Sequence, residues 1–115
     1  METFRFRHFK VYQDAKRLNV KIFQVTKNIP PEIRSQILRS SLSVPLNIAE
    51  GSAKKSDKDF NRYLENALGS INEVVATLDV AKDLSLLDLD DFEMLKENCE
   101  EVAKQLGGFS KRLKS

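Results

Sequence analysis

Basic and aromatic residues alternate at the start of the chain. Arg5, Arg7, His8 and Lys10 interleave with Phe4, Phe6 and Phe9. Cations neutralise phosphate oxygens and flat rings stack on bases, so the mixture suits a nucleic-acid strand. A second basic group, Lys54, Lys55 and Lys58 with Arg62, falls where a third helix is expected to begin. A helix start adds unpaired N–H groups and the positive end of the helix dipole, which together attract anions. Arg5, Arg7, Lys10, Arg34, Lys54, Lys55 and Lys58 are therefore the expected phosphate contacts. None of them is expected to read base sequence. A solvated loop and an ordinary terminus would carry the same residue types.

Two polar lines cross otherwise apolar elements. Arg39, Ser43, Asn47 and Glu50 step by four, four and three, so they share one face of a helix. Asn66, Ser70 and Glu73 form a similar line further on. Facing each other, the lines would pair Arg39 with Glu73 or Glu50, because a buried charge needs a partner. Asn47 is expected to bridge backbone freed by Pro45. Such a network, Arg39, Ser43, Asn47, Glu50, Ser70 and Glu73, is read as structural rather than catalytic.

Familiar enzyme chemistry is hard to assemble. The chain has one Cys and one His, too few for a conventional zinc site. A nucleophile–histidine device would depend on His8, in the charged start. Cys99 lies on an apolar stripe and reads as an inert buried thiol. Asp88, Asp90, Asp91 and Glu93 lack the glycine and spacing of a calcium loop, and read as a helix start. No catalytic residue, metal or cofactor is expected.

Apolar spacing defines the elements that position these groups. Val11, Ala15, Leu18, Ile22, Val25 and Ile29 make the stripe of a first helix, ended by Asn28 and Pro30-Pro31. Ile33, Ile37, Ser41, Val44 and Ile48 make a second, from about Pro31 to Ala49, kinked at Pro45. Gly51 is placed just past its end, as a C-cap. Ser56 and Asp59 resemble a capping box at the start of a third helix, with Asp in the Glu/Gln position. That helix carries Phe60, Leu64, Ala67, Ile71, Val74, Leu78 and Ala81. Gly69 within it is read as a point of close helix approach. A fourth carries Phe92, Leu95, Cys99, Val102, Leu106, Phe109 and Leu113, with Lys111, Arg112 and Lys114 complementing its dipole. Short linkers make neighbours antiparallel. The expected fold is all-α, an antiparallel up-down-up-down four-helix bundle, with residues 1–115 in one domain.

The 115 residues carry a net charge of +2, unevenly spread. Residues 1–60 hold 12 Lys and Arg against 6 Asp and Glu, and residues 61–115 hold 7 against 11. In a bundle, that split is expected to give a basic side formed by the first two helices and an acidic side formed by the last two. One cysteine excludes an internal disulfide and favours a cytoplasmic setting. The N-terminus lacks a signal-peptide pattern, and no apolar run approaches the roughly 18 residues that span a membrane.

The stretch Ser35-Gln36-Ile37-Leu38-Arg39-Ser40-Ser41-Leu42-Ser43-Val44-Pro45-Leu46-Asn47-Ile48-Ala49-Glu50-Gly51 resembles the "SQIRRAxxSIPxNIAEG" signature of a bacterial four-helix-bundle family. That family comprises the intervening-sequence proteins of large-subunit rRNA genes and the accessory variability determinants of diversity-generating retroelements. Phe9-Lys10-Val11-Tyr12-Gln13-Asp14-Ala15 is similar to the family's opening, and Leu68-Gly69-Ser70-Ile71-Asn72-Glu73 to its third helix. The resemblance implies a ring-like homopentamer. In the retroelement members it further implies a basic barrel that associates with nucleic acid and a reverse transcriptase. Arg39, Asn47, Glu50, Gly51 and Glu73 match family positions that look structural. Leu38 stands where the family has the first of two arginines. The segment between Pro30 and Ser35 is shorter than the family's by about one helical turn.

The sequence thus reads as a non-enzymatic, self-associating bundle that binds RNA or DNA as an accessory or scaffold. The alternative is a scaffold for a partner protein with no nucleic-acid contact.

Overall fold

The spacing of the apolar stripes is realised as four helices. The computed structural model describes residues 2–114. A short 3-10 turn at Arg5–His8 leads into α1 (Lys10–Val25), α2 (Pro31–Ser52), α3 (Asp57–Asp83) and α4 (Leu89–Lys114). No strand occurs among the described residues.

Each helix buries its stripe in one shared core. Val11, Ala15, Leu18 and Ile22 come from α1, and Ile37, Val44 and Ile48 from α2. The whole α3 stripe from Phe60 to Ala81 is buried, as are Phe92, Leu95, Cys99, Val102 and Leu106 of α4. Burying one such side chain stabilises the fold by about 1.5–3 kcal/mol, before ordering costs.

Contacts between neighbours run in opposite order along the chain. On α2 and α3, Ser40 meets Glu73, Ser43 meets Ser70, and Gly51 meets Tyr63. On α1 and α4, Phe9 meets Phe109 and Asp14 meets Gln105. Asn19 bonds Ser41 across α1 and α2, and Lys82 covers Phe92 across α3 and α4. Successive helices are therefore antiparallel, in a rod 46 × 25 × 20 Å.

The helix ends follow local chemistry. α1 stops four residues short of Ile29, because Thr26 turns its hydroxyl onto Ile22 O at 2.7 Å. A turn from Ile29 N to Thr26 O (3.0 Å) then carries Ile29 into the core. Pro31 opens α2, where a missing N–H costs nothing. Ser56 caps α3, its Oγ accepting from Asp59 N at 3.1 Å. The Asp59 carboxylate faces Arg62, 3.8 Å away. α3 ends with Ser85 at φ 62°, Ser85 N bonding Lys82 O and Leu86 N bonding Ala81 O, both 2.9 Å. This is the paired-bond stop usually built around glycine. Asp88 caps α4 through Asp91 N at 2.8 Å.

Two glycines depart from the sequence reading. α2 runs unbroken through Pro45 to Ser52, so Gly51 is a buried helical residue and not a C-cap. A Cβ there would lie 2.7 Å from Tyr63 Cβ and 3.0 Å from Phe60 Cδ1, so Gly51 is a point of close approach between α2 and α3. Gly69, expected to hold that role, is exposed, with nothing within 4 Å of an added Cβ.

Candidate nucleic-acid interface

Antiparallel packing gathers one end of every helix at each end of the rod. The start of α1, the α2–α3 turn and the finish of α4 meet at one end. Three phenylalanines lock them together. Phe9 lies before α1, Phe60 opens α3 and Phe109 closes α4. Phe9 and Phe109 centroids are 5.4 Å apart, Phe60 and Phe109 5.1 Å, and Phe9 and Phe60 6.4 Å. The arrangement is mostly edge-to-face, the favoured geometry for rings.

Cations surround this cluster. Arg5 sits over Phe9 at 5.4 Å and Phe60 at 5.8 Å, and donates to Ser52 O at 3.1 Å, neutralising the C-terminal end of α2. Arg7 is exposed, its backbone held by a bond from Gln13 Nε2 to Arg7 O. Lys10 pairs with Asp14 at 2.6 Å while its side chain stays 73% exposed. Lys54 lies 5.1 Å from the centre of the Tyr63 ring. Lys55 and Lys58 are exposed in the turn and first helical residues that follow. Asp57 and Asp59 share that first turn and offset part of its charge.

Arg34 does not belong to this end. It stands in the first turn of α2, donates to Phe23 O at 3.0 Å and covers the Phe23 ring at 4.5 Å. Its Nε is buried without a hydrogen-bond partner. It therefore pins α2 to the last turn of α1, far from the other expected contacts. In its place α4 supplies Lys111, Arg112 and Lys114, which the sequence reading assigned only to dipole balance, and Lys104, which it did not single out. They had no spacing signal of their own. Antiparallel order alone brings them beside residues nearly a hundred positions away.

A charge gradient also runs along the rod. The opposite end carries Asp79 and Asp83 at the finish of α3 and Asp88, Asp90, Asp91 and Glu93 at the start of α4. Lys82 is embedded among these carboxylates, 3.0 Å from Asp79, which pushes its ammonium above the ordinary value. Taken together, α1 and α2 stay net basic and α3 and α4 net acidic, so the axial gradient adds to the side-to-side split expected from the sequence.

The polar lines assemble differently from expectation. Ser43 and Ser70 hydroxyls are 2.8 Å apart, and Asn47 Nδ2 donates to Ser43 O (2.8 Å) and Oγ (2.9 Å). Asn47 therefore does not reach the carbonyl of Ser41, the one that Pro45 leaves without its helical partner. Arg39 is exposed and makes no ion pair with Glu73 or Glu50; its nearest partner is Gln36 Oε1 at 3.4 Å. Glu50 is exposed too. Glu73 is held instead by Ser40 Oγ at 2.5 Å and Gln36 Nε2 at 2.9 Å. Those bonds, the Ser40 one first, keep its carboxyl below the usual range. Ser40 and Gln36 lie one step off the line read from the sequence.

Other reactive groups are placed without partners suited to catalysis. Cys99 is fully buried, and burial pushes its thiol up to about 12. His8 is exposed in the N-terminal turn, 3.6 Å from Glu2. Among the described residues no group of three or more His, Cys, Asp or Glu could hold a metal ion. No described helix is long and apolar enough to cross a membrane.

These features define a class: an all-α four-helix bundle with a cationic end built from three separate stretches of chain. Residues 7–108 match the model of the 23S rRNA-intervening sequence protein family, and the chain belongs to that family. It is also similar to a crystal structure of a protein of unknown function from the S23 ribosomal protein family of Bacteroides thetaiotaomicron VPI-5482. The two share 26% identity over 88% of this chain and 98% of that one, with a TM-score of 0.81. No curated protein matches.

Proposed function

We propose that the protein binds the phosphate backbone of nucleic acid through its basic end, without base-sequence readout and without catalysis. One observation carries this reading. Arg5, Arg7 and Lys10, then Lys54, Lys55 and Lys58, then Lys111, Arg112 and Lys114 converge where Phe9, Phe60 and Phe109 pack together. A cluster of cations on a rigid frame releases counterions when it meets a polyanion. Membership of a family named for an rRNA intervening sequence is in keeping with a nucleic-acid setting.

The test is binding to RNA and DNA across roughly 50 to 200 mM salt, where backbone contacts give a steep linear fall in log affinity. No affinity at low salt, or affinity flat with salt, overturns the reading.

Self-association is the second part of the proposal, as the ring-like pentamer that the family resemblance implies. Leu42 and Leu46, one turn apart on α2, are 47% and 56% exposed. Apolar side chains spaced this way form a stripe that a second copy can cover. A light-scattering mass equal to the 13.1 kDa chain at micromolar concentration overturns it.

A further inference from the structure

At the basic end, α1 and α4 do not close completely. A cleft of about 590 Å³ lies between them, lined by Phe9, Lys10, Lys104, Gln105, Gly108 and Arg112 among others. That volume falls within the roughly 300–1,000 Å³ typical of small-ligand sites. Its floor is apolar, from Val11 and the half-buried rings of Phe9 and Phe109. Its rims are cationic, Lys10 on the α1 side and Lys104 on the α4 side, where the Arg112 guanidinium covers the Phe109 ring at 5.3 Å. Gly108 keeps it open: an added Cβ would meet only Arg112 Nη1, at 3.8 Å.

We propose that this cleft seats one nucleoside phosphate unit, with the base on the apolar floor beside Phe9 and the phosphate between Lys10 and Lys104. This deepens the nucleic-acid reading above and rests on it. The chemistry of the lining is bipartite, as the ligand is. An apolar aromatic floor accepts a base, whose π-face stacks without regard to sequence. Lys10 has three donors and gives one to Asp14, leaving two for a phosphate. Gln105 Nε2 donates to Asp14 Oδ2 at 2.8 Å, so its amide oxygen remains an acceptor for a base amino group. Asp14 borders the cleft but is already matched by Lys10 at 2.6 Å and Arg17 at 2.8 Å. Glu101, 4.0 Å from Lys10, is 60% exposed and screened by water.

The cleft also selects a strand type. In a duplex the bases are stacked inside and only phosphates face outward, so no base can enter without being flipped out. An unpaired strand offers its bases freely. The preferred ligand is therefore single-stranded, while the exposed Lys55 and Lys58 serve either form.

The decisive variant is Gly108→Leu, which fills the cleft without removing a charge. Gly108 lies inside α4, where leucine is the better helix former, and a thermal melt confirms folding. Three probes are titrated: an eight-nucleotide single-stranded RNA, an RNA duplex of equal length, and adenosine monophosphate followed by NMR shifts of Gly108 and Phe109. Gly108→Leu is expected to weaken single-strand binding about tenfold, the scale of one lost base stack, and to leave duplex binding within about twofold. Lys104→Glu weakens single-strand binding as well. An unchanged single-strand affinity in Gly108→Leu, or an equal loss for both strand types, overturns the cleft. If neither RNA binds the wild type but the monophosphate still shifts Gly108 and Phe109, backbone binding fails and the cleft stands as a free-nucleotide site. If no probe binds, both fall.

Discussion

Gly51 and Tyr63 touch backbone to side chain: a Cβ on Gly51 would lie 2.7 Å from Tyr63 Cβ. Neither atom belongs to a flexible side-chain tip, so nothing cheap can move aside. Gly51→Ala gains about 1 kcal/mol of helix propensity but forces an overpacked contact costing about 1–3 kcal/mol or more. The net change is destabilising. Gly69→Ala gains the same propensity with open space around it and stabilises the fold by up to about 1 kcal/mol. Urea unfolding of the two variants checks this, and shifts of the same sign would refute it.

Ser40 is the dominant partner of Glu73. Its hydroxyl has one proton, and the carboxylate at 2.5 Å competes for it with Gln36 O at 3.0 Å. A charged acceptor wins such a contest. The folded-state carboxyl is thereby held below its ordinary 4.5. A depressed carboxyl adds stability that is complete above the unfolded value and is lost as pH falls through the folded one. Ser40→Ala moves the Glu73 titration upward, read by carbon NMR of its carboxyl. An unmoved titration contradicts the assignment.

Arg39 makes no ion pair with either expected carboxylate and is exposed. Arg39→Ala is expected to change stability by no more than about 0.5 kcal/mol, as for surface positions generally. A loss of several kcal/mol on chemical unfolding would mean that assembly buries this arginine.

Lys55 and Lys58 lie exposed beside the start of α3. In the proposed backbone contact, Lys55→Glu and Lys58→Glu each weaken RNA binding uniformly across sequences. Each lysine lost also flattens the log–log salt slope by about 1. A sequence-dependent effect would point to base readout instead.

The stripes from Val11 to Leu113 were legible because burial at steps of three and four repeats along each helix. The cap at Ser56 was legible because it is a local bond between near neighbours. Gly51 and Gly69 were not, because periodicity gives the face a residue occupies but not how near the next helix comes. Ser85 was missed because serine gives little warning that it will adopt a positive φ. Arg34 and Lys111 show the harder limit. Their charges were plain, but which end of the rod they occupy depends on where each helix turns back, and only the assembled topology decides that.

Helix macrodipoles in an antiparallel bundle largely cancel. The separation of Lys111 from Asp88 and Glu93 along a 46 Å rod does not. The side chains therefore give the molecule a permanent electric moment with a component along its length, and little net charge to accompany it. In the field of a polyanion such an object feels a torque before it feels much pull. It turns its cationic pole forward once within about a Debye length, before contact, so a larger share of collisions begins end-on.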